Sequence, residues 1–241
     1  MIPFWKSGLS EFTLADKEIH LWRVDLDRPM IGFQQLHQSL SVDEKVRAER
    51  FHFERDRRRF IVGRGSLRTM LGCYLNVEPS GVQFCYGKNG KPAPAEPLGK
   101  GNILFNVSNS EGLALYAFVR DHEIGVDIER IRDIPGMDQI AERFFTAGEK
   151  TVFRSLPEGK KSEAFFNCWT RKEAFIKAKG EGLGFSLDQF EVSLAPGERA
   201  ALIWSNGDPQ ETSRWSLREL DVGPGFAAAV AVDVQDLALG C

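Results

Sequence analysis

Between residues 124 and 129 the chain reads Ile-Gly-Val-Asp-Ile-Glu. Side chains alternate across a strand, so this pattern predicts Ile124, Val126 and Ile128 on a core face and Asp127 and Glu129 together on the other. Further strand patterns occupy residues 19–26, 82–86, 103–107, 113–119, 190–194, 200–204, 215–220 and 226–232. Helical spacing takes over in two long segments. Over 56–75, Phe60, Leu67, Leu71 and Tyr74 share one stripe, weakened locally by Gly63 and Gly65. Over 160–179, Phe165, Trp169, Lys172 and Ile176 do the same, and Gly180 and Gly182 end the helix. Lys172, on that apolar stripe, is expected to snorkel to the surface. Another helix is predicted over 137–145. Two capping boxes, Ser41-Val-Asp-Glu44 and Thr146-Ala-Gly-Glu149, start further helices, the first expected to run to about Phe53.

The order of these elements repeats. Each half runs strand, capping box, long helix, then several strands, and Gly-Leu-Ala-Leu-Tyr-Ala-Phe-Val from Gly112 resembles Gly-Phe-Ala-Ala-Ala-Val-Ala-Val from Gly225. A long unit present twice predicts a duplicated α+β fold rather than a solenoid. The halves are expected at 1–121 and 122–241, with a ligand site at their junction.

Composition narrows the class. With 241 residues, 42% hydrophobic and 27% charged, the chain is an ordinary globular protein. A net charge of −3 argues against a general nucleic-acid binder. The longest apolar run, 226–232, is too short to span a bilayer, and the N-terminus lacks the apolar core of a signal peptide. Cys73, Cys85, Cys168 and Cys241 are widely spaced without C-x-x-C, which suggests neither a zinc site nor a disulfide framework and makes a reducing cytoplasm the expected setting.

Candidate chemistry gathers around the acidic strand. Asp127 and Glu129 stand roughly 7 Å apart along it. Oxygen ligands at that spacing can converge on Mg²⁺ rather than Zn²⁺, the alternative being an acidic strand end in solvent. Glu173 and Lys177 lie at i, i+4 on the border of the second helical stripe, next to Trp169. They are either a surface ion pair of about 0.3–0.5 kcal/mol or part of a partly enclosed site. Three acids exceed the charge of one Mg²⁺. Lys177 and the arginines Arg47, Arg50, Arg55, Arg57, Arg58, Arg59, Arg64 and Arg68 could hold phosphates, or be solvated surface. Residues 87–92 read as a turn, and 108–112 as a tight polar turn, either a plain hairpin or a source of N–H donors for an anion. Together these features suit phosphoryl transfer.

Four motifs in order carry a family resemblance: Gly-Lys-Pro (90–92), Phe-Asn-Val-Ser-Asn-Ser (105–110), Gly-Val-Asp-Ile-Glu (125–129) and Trp-Thr-Arg-Lys-Glu-Ala-Phe-Ile-Lys (169–177). With Arg47-Ala-Glu-Arg-Phe51 and the arginine-rich helix, the chain resembles the 4′-phosphopantetheinyl transferases of the Sfp type over about residues 19–195. The resemblance implies transfer of the phosphopantetheine arm of coenzyme A to a serine of an apo acyl or peptidyl carrier protein, releasing adenosine 3′,5′-bisphosphate. It also implies a pseudo-twofold pair of α+β halves with the site between them. Asp127, Glu129 and Glu173 would hold Mg²⁺, Glu173 would be the base for the serine, directly or through water, and Lys177 would pair with the pyrophosphate. Lys91 would border the adenine, Ser108 and Asn109 would meet the phosphates, and Arg47 the 3′-phosphate. Asn109 departs from the family, which usually has His there; Asn cannot become cationic, and weaker coenzyme A binding is expected. That departure leaves a non-catalytic coenzyme A-binding or carrier-docking module as the alternative, against which the retained acids argue. An arginine-helix nucleic-acid binder is a third reading. Segment 131–145, with Met137, Ile140 and Phe144, is a candidate docking surface or simple packing under the long helix. The internal duplication suggests a monomer, since it already supplies the second half of a dimer.

Overall fold

The structure is a computed structural model that describes residues 12–28, 32–87, 92–95, 103–180, 186–205, 210–234 and 238–240. Up to residue 120 the elements are β1 (Glu18–Asp25), α1 (Phe33–Ser39), α2 (Val42–Glu49), α3 (Glu54–Leu75), β2 (Phe84–Tyr86), β3 (Pro92–Pro94), β4 (Ile103–Ser110) and β5 (Leu113–Arg120). There follow β6 (Ile124–Arg130), α4 (Met137–Phe144), α5 (Ala147–Ser155), α6 (Glu158–Lys179), β7 (Phe190–Val192), β8 (Leu202–Ser205), α7 (Glu211–Arg214), β9 (Ser216–Glu219), β10 (Phe226–Val232) and β11 (Ala238–Gly240).

Two sheets carry the α+β duplication. One has the order β11-β1-β5-β4 and the other β6-β10-β9. Without β11 the two orders correspond: the opening strand of each half pairs antiparallel with the last strand of the repeat, which also pairs with the strand before it. The helices α3 and α6, each 22 residues, occupy equivalent places. β11 lies parallel to β1, so the C-terminal strand crosses into the first sheet.

The sheets pack on each other through one apolar layer. Ile19, Leu21, Leu115, Ala117 and Val119 meet Ile124, Val126, Ile128, Val230 and Val232 there. The outward face of the first sheet packs with α3 through Trp22, Val24, Tyr116 and Phe118, and that of the second with α6 through Ala227, Ala229 and Ala231. The alternation along β6 thus acts as its spacing predicts. Its second face lies hard on α6: a Cβ on Gly125 would stand 2.0 Å from the Ala174 carbonyl oxygen and 2.4 Å from the Ala178 nitrogen. Only glycine lets the strand approach so closely.

Several expectations change. The first capping box forms, but α2 stops at Glu49, and Phe53 is the extended N-cap of α3. Gly65 does not interrupt α3; a Cβ there would meet the Leu36 Cβ at 2.7 Å, so the glycine lets α1 pack closely. The tight polar turn expected at 108–112 is a correction. Ser108, Asn109 and Ser110 continue β4 in register with Leu115, Ala114 and Leu113, and only Glu111 and Gly112, both at positive φ, make the turn. The hairpin is held by β5, so the backbone of 108–110 is no anion nest. Lys172 does not snorkel. It is 1% exposed, with Nζ 2.8 Å from Glu149 Oε1 and donating to the carbonyls of Leu187 and Phe190 at 2.6 Å. A lysine fully paired inside the protein has no need to reach water. Met137, Ile140 and Phe144 are partly buried against the core around α6.

Candidate active site

The carboxylates sit where β6, α6 and β4 meet. Asp127 is buried and Glu129 half-buried on the helix-facing side of β6; Glu173 and Lys177 come from α6. β4 lies along β6 and reaches it with alternate side chains. Asn106 Oδ1 accepts the Val126 N–H at 3.0 Å, Ser108 Oγ donates to Asp127 Oδ1 at 2.8 Å, and Ser110 Oγ donates to Glu129 Oε2 at 2.9 Å. Ser110 Oγ also accepts the Arg130 N–H at 3.1 Å. Lys177 Nζ donates to Asp127 Oδ1 at 2.6 Å, Ser108 Oγ at 3.1 Å and the Val126 carbonyl at 3.3 Å.

The three acids are electrostatically coupled. Burial raises the Asp127 carboxyl above the usual range, against the opposing pull of Lys177 and Ser108. Burial raises Glu129, and Asp127 adds to it. Burial again comes first for Glu173, followed by the charges of Asp127 and, more weakly, Glu129. Like charges held this close resist ionisation until a cation joins them.

Among the described residues no three His, Cys, Asp or Glu side chains stand close enough together to hold a metal ion. In this arrangement Lys177 neutralises Asp127, and Ser110 holds Glu129. The donor set still fits a hard divalent cation: three carboxylates share one region, and Asp127 Oδ2 is buried without a hydrogen-bond partner.

On the other side of β4 from the acids lies a cleft of about 410 Å³, lined among others by Arg59, Arg64, Phe51, Phe60, Pro92 and Asn109. Asn109 is exposed on it, while its neighbour Ser108 is buried on the carboxylate side, because successive residues of β4 face opposite ways. The two expected phosphate contacts therefore belong to different surroundings. Arg47 stacks on the ring of Phe60, 5.3 Å from its centre, and also lines an adjoining hollow with Arg50 and Phe51. Lys91 lies outside the described residues; Pro92, next to it, borders the cleft.

Two family profiles match, in tandem. That of the 4′-phosphopantetheinyl transferase superfamily covers residues 123–231, and that of the 4′-phosphopantetheinyl transferase N-terminal region covers 13–119. A relative named 4′-phosphopantetheinyl transferase HetI, from Nostoc sp. (strain PCC 7120), is 42% identical over 95% of this chain and 93% of its own. The chain belongs to the 4′-phosphopantetheinyl transferase family. Sfp from Bacillus subtilis (strain 168) is 27% identical over 90% of this chain and 93% of its own. The human L-aminoadipate-semialdehyde dehydrogenase-phosphopantetheinyl transferase is 29% identical over 82% of this chain and 68% of its own. In this transferase the boundary between the two profiles falls between β5 and β6, where the sheets meet.

Sequence reasoning missed Asn106 and Ser110. The signal was available in the polar alternation Asn106, Ser108, Ser110 against Phe105 and Val107. Reading a turn from residue 108 onward hid it.

Proposed function

We propose that the chain moves the 4′-phosphopantetheine arm of coenzyme A onto a serine of an apo acyl or peptidyl carrier protein, with Mg²⁺, releasing adenosine 3′,5′-bisphosphate. The observation that carries this reading is the set of three coupled carboxylates and Lys177, packed at the junction of the halves, with an arginine-walled cleft on the other side of β4. Asp127, Glu129 and Glu173 would hold the metal. When bound there, Mg²⁺ supplies charge neutralisation for the departing bisphosphate. Lys177 would exchange Asp127 for the pyrophosphate, and Ser108, hydrogen-bonded to both, would keep the two aligned. Arg47, Asn109 and Lys91 would hold the nucleotide end, helped by Arg59 and Arg64 on the cleft wall.

Glu173 is the base of this reading. Its carboxyl, raised by burial and by Asp127, is a stronger base than an exposed glutamate. It takes the proton of the carrier serine. The serine oxygen then bonds to the phosphorus bearing the pantetheine arm, and the bond from that phosphorus to the bisphosphate oxygen breaks. No covalent enzyme intermediate forms, so no nucleophilic cysteine or serine is needed. Among the described residues no helix is long and apolar enough to cross a membrane, and a cytoplasmic monomer suits a reaction between coenzyme A and a carrier protein.

Incubation with coenzyme A, Mg²⁺ and an apo carrier, followed by mass spectrometry of the carrier, tests the reading. The carrier should gain the phosphopantetheine mass, and Asp127→Ala or Glu173→Ala should lower the rate by a factor on the order of 10³, the loss expected when a charge-stabilising group is removed. Transfer that survives both changes would remove the metal site. The Lys177–Asp127 ion pair leaves one second reading, an inert coenzyme A binder in which the lysine satisfies the acid permanently. Coenzyme A binding without any mass gain across a panel of apo carriers would establish it.

A further inference from the structure

We propose that Ser110 is a positioning residue for Glu129, aiming a carboxylate of the second half from a strand of the first. The inference rests on the reading of Glu129 as a metal ligand. Its geometry is defined at both ends of the hydroxyl. Ser110 Oγ accepts the Arg130 N–H at 3.1 Å and donates to Glu129 Oε2 at 2.9 Å. With a lone pair engaged by the backbone, the hydroxyl proton goes to the carboxylate. The donating N–H belongs to Arg130, the residue next to Glu129, so Ser110 holds the side chain and its own stretch of strand together.

Glu129 needs such a hold more than Asp127 does. Asp127 is buried and short, and Ser108 and Lys177 already grip it. Glu129 is only half-buried and has one more rotatable bond, so its head group loses more freedom when fixed. The neighbouring arginines are engaged elsewhere. Arg132 pairs with Glu111 at 3.3 Å, and Arg130 lies over the Phe226 ring and donates to the Pro224 carbonyl at 3.4 Å. The character of the partner matters as well. An arginine on Glu129 would compete with a metal for the same charge, whereas a hydroxyl fixes one oxygen and leaves the carboxylate its full negative charge. Hydrogen-bonded partners of this kind orient metal ligands, and losing one lowers metal affinity by about 10–100-fold.

The test compares the full chain with Ser110→Ala, Ser110→Thr and Glu129→Gln, using Mn²⁺ as the probe and electron paramagnetic resonance of free ion as the readout. Coenzyme A affinity in metal-free buffer is measured alongside. The wild type and Ser110→Thr should bind Mn²⁺ alike, Ser110→Ala about tenfold more weakly, and Glu129→Gln more weakly still, with the wild type and both Ser110 variants sharing the same metal-free coenzyme A affinity. Undiminished Mn²⁺ binding by Ser110→Ala, while Glu129→Gln loses it, would overturn the proposal. So would Ser110→Thr binding as weakly as Ser110→Ala, since the hydroxyl would then not be what matters. Failure of the metal reading is distinguishable: Glu129→Gln would bind as the wild type does, and this inference would go with it.

Discussion

Asn109 and Glu173 show how much one side chain decides. Asn109 stands exposed in the arginine cleft, where a histidine could carry charge. Replacing a neutral by a charge-assisted phosphate contact adds roughly 1 kcal/mol, about fivefold in affinity. Asn109→His should therefore tighten coenzyme A binding about fivefold near pH 6, and the gain should fade near pH 8 as the imidazole loses its proton. Calorimetry at the two pH values checks it; equal or weaker binding at the lower one would refute it. Glu173 carries the opposite sign of effect. Its folded-state carboxyl lies above the ordinary 4.5, burial being the main cause. Between the two values the folded chain keeps a proton that the unfolded chain has lost. Stability therefore falls as pH rises through that window, and the full cost persists above it. In metal-free buffer Glu173→Gln should melt at a higher temperature than the wild type near pH 8. Near pH 4 the difference should vanish.

At the scale of elements, β6 and α6 form the frame of the site. Gly125 sets their separation, and a methyl group there would overlap the α6 backbone at Ala174 and Ala178. Gly125→Ala should cost about 3 kcal/mol or more, because backbone on both sides must move. It should also loosen the Asp127–Lys177 contact two residues away. A melting temperature within a degree or two of the wild type would show that α6 can retreat cheaply. The C-terminal part of α6 is tied down separately. Lys172 and Glu149 form a buried pair that also satisfies the Leu187 and Phe190 carbonyls and the Val192 N–H, joining α5, α6 and β7. Lys172 precedes Glu173, so the pair holds the helix at the residue where the proposed chemistry occurs.

For the whole molecule, the decisive surface is the one between the sheets. Ile124, Val126 and Ile128 are fully covered only because Ile19, Leu21, Leu115 and Val119 lie opposite them. Each half alone would present that apolar face to water, a patch that favours association over a soluble monomer. Residues 1–121 and 122–241 expressed separately should show no cooperative thermal transition and should bind a hydrophobic dye. A sharp transition in either would mean that the halves are autonomous and that the site is assembled by docking. In the intact chain the same surface brings Ser108 and Ser110 to Asp127 and Glu129, so stability and site geometry have one origin.

Local periodicity determined a good deal by itself. Which residues of β6 face the core, where α3 and α6 run, and both capping boxes follow from backbone geometry within a few residues, and no distant partner is needed to read them. The matching strand orders of the two sheets were likewise foreshadowed by the repeated segments at Gly112 and Gly225. Partnership between distant charges was decided only by the tertiary structure. Lys172 could be read as snorkelling because Glu149 lies 23 residues earlier, and nothing local says that α5 returns to it. Ser108 and Ser110 looked like turn residues because serine and asparagine favour turns, yet the neighbouring β6 gave their hydroxyls carboxylates to bind. The fold brings such groups together through burial of apolar surface remote from them, which is why their spacing along the chain does not announce the contact.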